Sequence, residues 1–263
     1  MDKKDILRLA KDPRHIPGIY NYCDRWCERC VFTARCLNYA IDKEAFGDTA
    51  RDLNNKEFWD KLHLIFQQTI EMIKELAMER GIDLNTLDME SKSEEISKWL
   101  NETKDHKLSL SAHHYSKMVD SWFESEYPLF EQRQDELNTM LKLGISGSEP
   151  HAQATEINDA IEVIRWYQHQ IYVKLMRALK QEESVDLQGE DNALQRDSDG
   201  SALVALIAID RSMGAWGKLQ EYFPEKTDSI LDILLHLDRL RQMTEKMFPD
   251  ARNFKRPGFD DVN

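Results

Sequence analysis

SALVALIAIDRSMG, residues 201–214, holds the most apolar run of the chain and sets the fold class. Ala202, Leu203, Val204, Ala205, Leu206 and Ile207 follow one another without a polar stripe. A helix that is apolar all round is enclosed by other elements. The stretch therefore predicts a central helix over about 201–220. Gly214 and Gly217 near its end have two readings. They either admit a close neighbour or loosen the last turns, at a cost in helix propensity.

Outward from this helix, the same helical period recurs on both sides. On the C-terminal side, about 228–248 repeats Ile230, Ile233, Leu234, Leu237, Leu240 and Met247 behind an Asp228 cap. On the N-terminal side, residues 184–200 are polar and acidic and read as a linker. Before them, Ile157, Ile161, Ile164, Ile171, Leu175 and Leu179 place a helix over about 155–181. A loop spans 144–150, and a helix from Ser109 to Leu143 precedes it, kinked or divided at Pro128. A short helix is expected at 93–102, with Ser91 and Glu94 at capping-box spacing. Phe58, Leu62, Ile65, Phe66, Thr69, Ile73 and Leu76 mark a helix over 56–80, capped by Asn54 or Asn55 and closed by Gly81. No run alternates as strands do.

The expectation is an all-α protein: an antiparallel bundle of about five long helices with an N-terminal cysteine-rich metal-binding module. Residues 1–55 form that module, 56–248 the bundle and 249–263 an irregular tail. The chain has 263 residues, enough for a substantial core.

Asp210 falls on the lattice of Leu203, Ile207, Gly214 and Gly217, so it is expected to point inward. A buried carboxylate requires a partner. Arg165, His169, His236 and Arg239 are the candidates, and Glu162, Trp166 and His169 share one stripe. Glu162, His169, Asp210 and His236 form a candidate catalytic or metal set inside the bundle. Against it stands a plainer reading of buried polar contacts that fix helix register. Di-iron bundles use Glu-x-x-His on two helices, and this chain has none. His113 and His114 are adjacent and point in different directions on a helix, which makes a poor joint site. Neither a glycine-rich phosphate loop nor a GxSxG turn occurs.

All four cysteines lie in one stretch, Cys23, Cys27, Cys30 and Cys36, spaced C-x3-C-x2-C-x5-C. Thiolates are soft ligands for zinc or iron–sulfur clusters. Cys27 and Cys30 have the gap that brings two sulfurs to one centre, with Cys23 and Cys36 closing it. Arg25, Arg29 and Arg35 offset thiolate charge, while Tyr20, Tyr22, Trp26 and Phe32 shield the site. Structural zinc commonly uses two separated C-x2-C pairs, and compressed runs of four suit cubane clusters. The expected cofactor is a [4Fe–4S] cluster, with zinc as the alternative.

The segment CERCVFTARC, residues 27–36, resembles the C-x2-C-x5-C cluster segment of the iron–sulfur nucleases of CRISPR adaptation and recombinational repair. Similar spacing occurs in auxiliary-cluster domains of radical-SAM enzymes. Cys23, Cys27 and Cys30 also resemble the radical-SAM core triplet. The resemblance covers about ten residues, and the fourth cysteine of those nucleases lies far upstream. The radical-SAM core belongs to a β/α barrel, which a helical chain does not supply. What the resemblance implies is the cluster alone.

Net charge is −13, which argues against nucleic-acid binding, since phosphate contacts need a basic surface. The start MDKKDILRLAKDPRH lacks a signal core, and no segment approaches the roughly 20 apolar residues of a membrane span. The expected setting is the cytoplasm, where thiols stay reduced. The expected function is a metal-binding helical protein with a structural, redox-sensing or electron-transfer role. The alternatives are an enzyme built on the carboxylate–histidine set and an adaptor for a protein partner.

Overall fold

The computed structural model describes residues 3–47, 54–84, 89–144, 149–185 and 192–260. They are all-α, with no strand among them. The helices are α1 (Lys3–Ala10), α2 (Leu37–Phe46), α3 (Lys56–Glu79), α4 (Met89–Asp105) and α5 (Lys107–Ser125), then α6 (Tyr127–Leu143), α7 (Pro150–Val185), α8 (Asn192–Tyr222) and α9 (Thr227–Met247). Two compact units emerge, Met1–Lys98 with Lys255–Asn263, and Trp99–Phe254. The expected boundary at residue 55 lies inside the first.

In the second unit α7 and α8 pack along their length, α5 lies on α7 and α9, and α9 lies on α8. Ala202, Leu203, Val204, Ala205 and Leu206 are buried, as their unbroken apolarity requires. Ile157, Ile164, Ile171, Leu175 and Leu179 of α7 are buried too, as are Ile230, Ile233, Leu237 and Leu240 of α9. One end of the core is aromatic. Trp122 and Trp216 meet edge-to-face with ring centres 4.9 Å apart, and Phe123, Phe130 and Phe223 surround them. Trp216 Nε1 donates to the buried Tyr115 hydroxyl at 3.2 Å, and Trp122 Nε1 donates to Ser229 Oγ at 3.0 Å. Buried indole N–H groups need such acceptors.

Several expected boundaries move. The helix expected over 109–143 is two helices, with Pro128 in the first turn of α6, where its missing N–H costs nothing. Helix α4 begins at Met89, so Ser91 lies within it and is no cap; its side chain falls outside the described residues. Much of the expected linker is helix, since α7 continues to Val185 and α8 begins at Asn192. Arg177 pairs with Asp197 at 2.9 Å across these two helices, and Ser198 is buried. Tertiary packing outweighs the polar composition there. The segments 145–148 and 186–191 lie outside the described residues. Gly214 and Gly217 have no close neighbour, because a Cβ on either meets nothing within 4 Å. The tail is ordered at its start: Ala251 is buried and a 3-10 turn spans Ala251–Asn253.

In the first unit α3 is capped as its ends predict. Asn55 Oδ1 accepts from Glu57 N at 3.1 Å. Gly81, at φ 69°, closes a Schellman motif in which Ile82 N reaches Ala77 O at 2.8 Å. The apolar side chains of α3, however, divide between two faces. Phe58, Leu62 and Ile65 are half-buried, whereas Phe66, Thr69, Ile73 and Leu76 are exposed.

Candidate functional site

The cysteine segment folds as three successive 3-10 turns, Ile19–Tyr22, Cys27–Arg29 and Thr33–Arg35. Cys23, Cys30 and Cys36 each sit in extended conformation directly after one of them, and Cys27 opens the second. Pro13 and Pro17 prevent a regular helix ahead of the turns, and Gly18 takes the left-handed φ of 75° that starts the first. Ile16 N donates to Arg35 O at 3.0 Å, which ties the two ends of the segment together. Between Cys23 and Cys27 the chain turns on Asp24, whose Oδ1 accepts from Trp26 N at 3.2 Å. Arg25 there adopts φ 60°, alone in positive φ among the described non-glycine residues. A left-handed arginine is a strained conformation that the surrounding contacts must hold.

The turns direct all four cysteines to the wall of one recess, shared with Ile19, Tyr20, Trp26, Phe32, Tyr39 and Phe259. Its free interior is about 20 Å³, room for one ion or water. Among the described residues, no three Cys, His, Asp or Glu side chains are grouped tightly enough to hold a metal as they stand. The thiols are free and half-buried. Cys23 Sγ donates to Tyr20 O at 3.5 Å, a bond that belongs to its protonated form. Phe32 N donates to Cys30 Sγ at 3.4 Å, a contact that favours thiolate.

Burial pushes the Cys27 thiol up to about 11 from 9.0, and negative charge on Cys23 and Cys36 adds to the rise. Cys30 moves upward as well, chiefly through burial. The four sulfurs thus repel one another once ionised. A bound cation would offset that repulsion and favour the thiolates. The donor set suits a soft metal in type and number, and the side chains would have to turn inward to ligate it.

Of the expected shielding aromatics, Tyr20, Trp26 and Phe32 line the recess, and the lining does not include Tyr22. Arg29 stacks over Trp26 at 4.0 Å. Two walls were not foreseen from sequence, Tyr39 from α2 and Phe259 from the far end of the chain. Phe259 meets Phe32 edge-to-face with centres 5.0 Å apart, and the Arg256 guanidinium covers its ring at 4.8 Å. Arg256 is itself fixed by Asp260 through two bonds of 2.8 and 2.9 Å. The only sequence signal for this clamp is the compact turn KRPGFD.

The carboxylate–histidine set is held by separate partners. Asp210 is half-exposed rather than inward, and it pairs with Arg252 at 2.7 Å and Arg241 at 3.8 Å. Neither arginine was among its expected partners, because Arg252 reaches it from beyond α9. His236 Nε2 donates to Ser111 O at 2.9 Å, and its ring lies 5.2 Å from that of His114. His169 is exposed and accepts from Gln168, which also bonds Asp120 beside Arg165. Glu162 is exposed. His113 and His114 are both exposed, with rings near Tyr172 and His236 respectively, so neither faces the core.

Among the described residues no helix is long and apolar enough to cross a membrane. No protein-family model, curated protein or solved structure matches the chain.

Proposed function

We propose that the four-cysteine recess is a thiolate metal centre, a [4Fe–4S] cluster or in its place a zinc ion, and that the protein is non-catalytic. One observation carries this reading: Cys23, Cys27, Cys30 and Cys36 line a common recess although two 3-10 turns lie between the first and the last of them. Such a centre would supply a fixed crosslink and, if it contains iron, an electron-transfer or redox-sensing function. Cys23, Cys27, Cys30 and Cys36 would bind it. Phe32 N would donate to the Cys30 sulfur, and Tyr20, Trp26 and Phe259 would exclude water. A single ion matches the free volume directly, whereas a cluster requires these aromatic walls to move outward. In the same reading the long helices α5, α7, α8 and α9 make an antiparallel bundle in the second unit, and the setting is the cytoplasm.

The test is metal analysis and absorbance of protein isolated both with and without oxygen. Brown protein containing iron and sulfide identifies the cluster, and colourless protein with one zinc per chain identifies the ion. Replacing all four cysteines by serine should abolish metal content and lower the melting temperature of the metal-loaded protein. Absence of metal from both preparations, with melting unchanged in the serine variant, would overturn the proposal.

A further inference from the structure

Helix α3 carries a second apolar face that stays exposed among the described residues of its own unit. Trp59, Phe66, Ile70 and Ile73 are 46, 59, 52 and 54% exposed. With His63 they fall at 59, 63, 66, 70 and 73, alternating steps of four and three. This is the spacing of a coiled-coil seam, which keeps one stripe facing a partner helix. The half-buried Phe58, Leu62 and Ile65 lie away from that stripe and serve the chain's own packing. Ala77, the next seam position, is already buried and closes the seam at that end. A continuous row of large exposed side chains at this period marks an interaction surface.

The flanking charges identify the occupant. Asp60 and Lys74 each follow a seam residue by one step, on the same flank. In an antiparallel pair of α3 helices centred near residue 68, Asp60 faces Lys74 of the second copy, and the two-fold axis repeats the contact. The same register sets Phe66 against Ile70 and His63 against Ile73 of the second copy. A parallel pair instead stacks His63 on His63 and joins no opposite charges across these flanks. Asp60 also meets Lys56 within the helix at 2.6 Å, an exposed contact that leaves its carboxylate within reach of a second cation. We propose that the chain self-associates through α3 as an antiparallel two-fold dimer.

The full-length chain, examined by sedimentation across the micromolar range, is expected to pass from one chain mass to two as concentration rises. Phe66→Glu puts two charges in the seam and should weaken the dimer on the order of a hundredfold. Asp60→Lys should weaken it about fivefold, from two lost exposed pairs and the repulsion that replaces them. Adding Lys74→Asp to Asp60→Lys should restore the original affinity, an outcome specific to the antiparallel register. All of these positions are exposed, and the folded state of each variant is to be checked by circular dichroism. A chain monomeric at every concentration overturns the proposal. So does a dimer indifferent to Phe66→Glu, or a charge swap that fails to restore association.

Discussion

Replacing Gly258 by alanine tests how the end of the chain reaches the cysteine recess. Gly258 sits at φ 77°, and a Cβ there would lie 2.8 Å from Ile16 Cδ1 and 3.0 Å from Ile19 Cδ1. Ile19 is only 2% exposed, so its side chain has little room to retreat. The left-handed conformation alone costs about 1 kcal/mol for a residue with a Cβ. Forcing a methyl group into packed side chains adds roughly 1–3 kcal/mol. Gly81 separates the two contributions: it has φ 69°, but a Cβ there meets nothing within 4 Å. Gly81→Ala should therefore cost about 1 kcal/mol at the end of α3 and leave the C-terminal turn untouched. Gly258→Ala should open that turn by at least about 2 kcal/mol, or about thirtyfold in its closing equilibrium. Hydrogen exchange reads this at the Phe259 and Asp260 amides, which donate to Arg256 O at 3.2 and 3.1 Å. The expected result is faster exchange at both in Gly258→Ala and none in Gly81→Ala. Unchanged exchange at Phe259 in Gly258→Ala would show that the turn does not rest on Ile16 and Ile19, and Phe259 would lose its place as a wall of the recess.

Two further outcomes follow from protonation. Without metal, the raised Cys27 thiol favours folding in its neutral form, so this stabilisation is complete below pH 9 and is lost as pH rises through about 11. Denaturant melts of metal-free protein should weaken across that window, and Cys27→Ser should flatten the decline. His236 is shifted downward, mainly by burial and further by His114 and Arg239, against the Ser111 carbonyl that favours its charged form. Its contribution is present above pH 6.5 and is lost as pH falls through its lowered value, so stability should drop in mild acid. His236→Gln, measured by the same melts, should reduce that acid dependence; a slope identical to that of the unsubstituted chain would remove His236 from the explanation.

Helical character was legible because it is a local property. The apolar run at 202–207, the spacing of Ile157 to Leu179 and the Asn55 and Gly81 ends of α3 each state their outcome within a few turns. The clustering of the cysteines was legible for the same reason, since residues 23 to 36 cannot separate far. Which face of a helix turns inward was less so. On α3 the sequence offers apolar residues on two stripes, and only packing against its neighbours decides that Phe58 and Ile65 turn in while Phe66 and Ile73 turn out. The partner of Asp210 was not legible either, because Arg252 becomes its neighbour only when the chain after α9 folds back.

The sequence by itself determined the all-helical class of the described residues and the closeness of the four cysteines along the chain, because period and spacing act over short stretches of backbone. Tertiary structure alone decided that Phe259 closes the cysteine recess, that residues 192–200 continue a helix, and that an apolar stripe of α3 is left exposed. These outcomes depend on contacts between segments distant in the chain, and no local pattern encodes which distant surface will cover which.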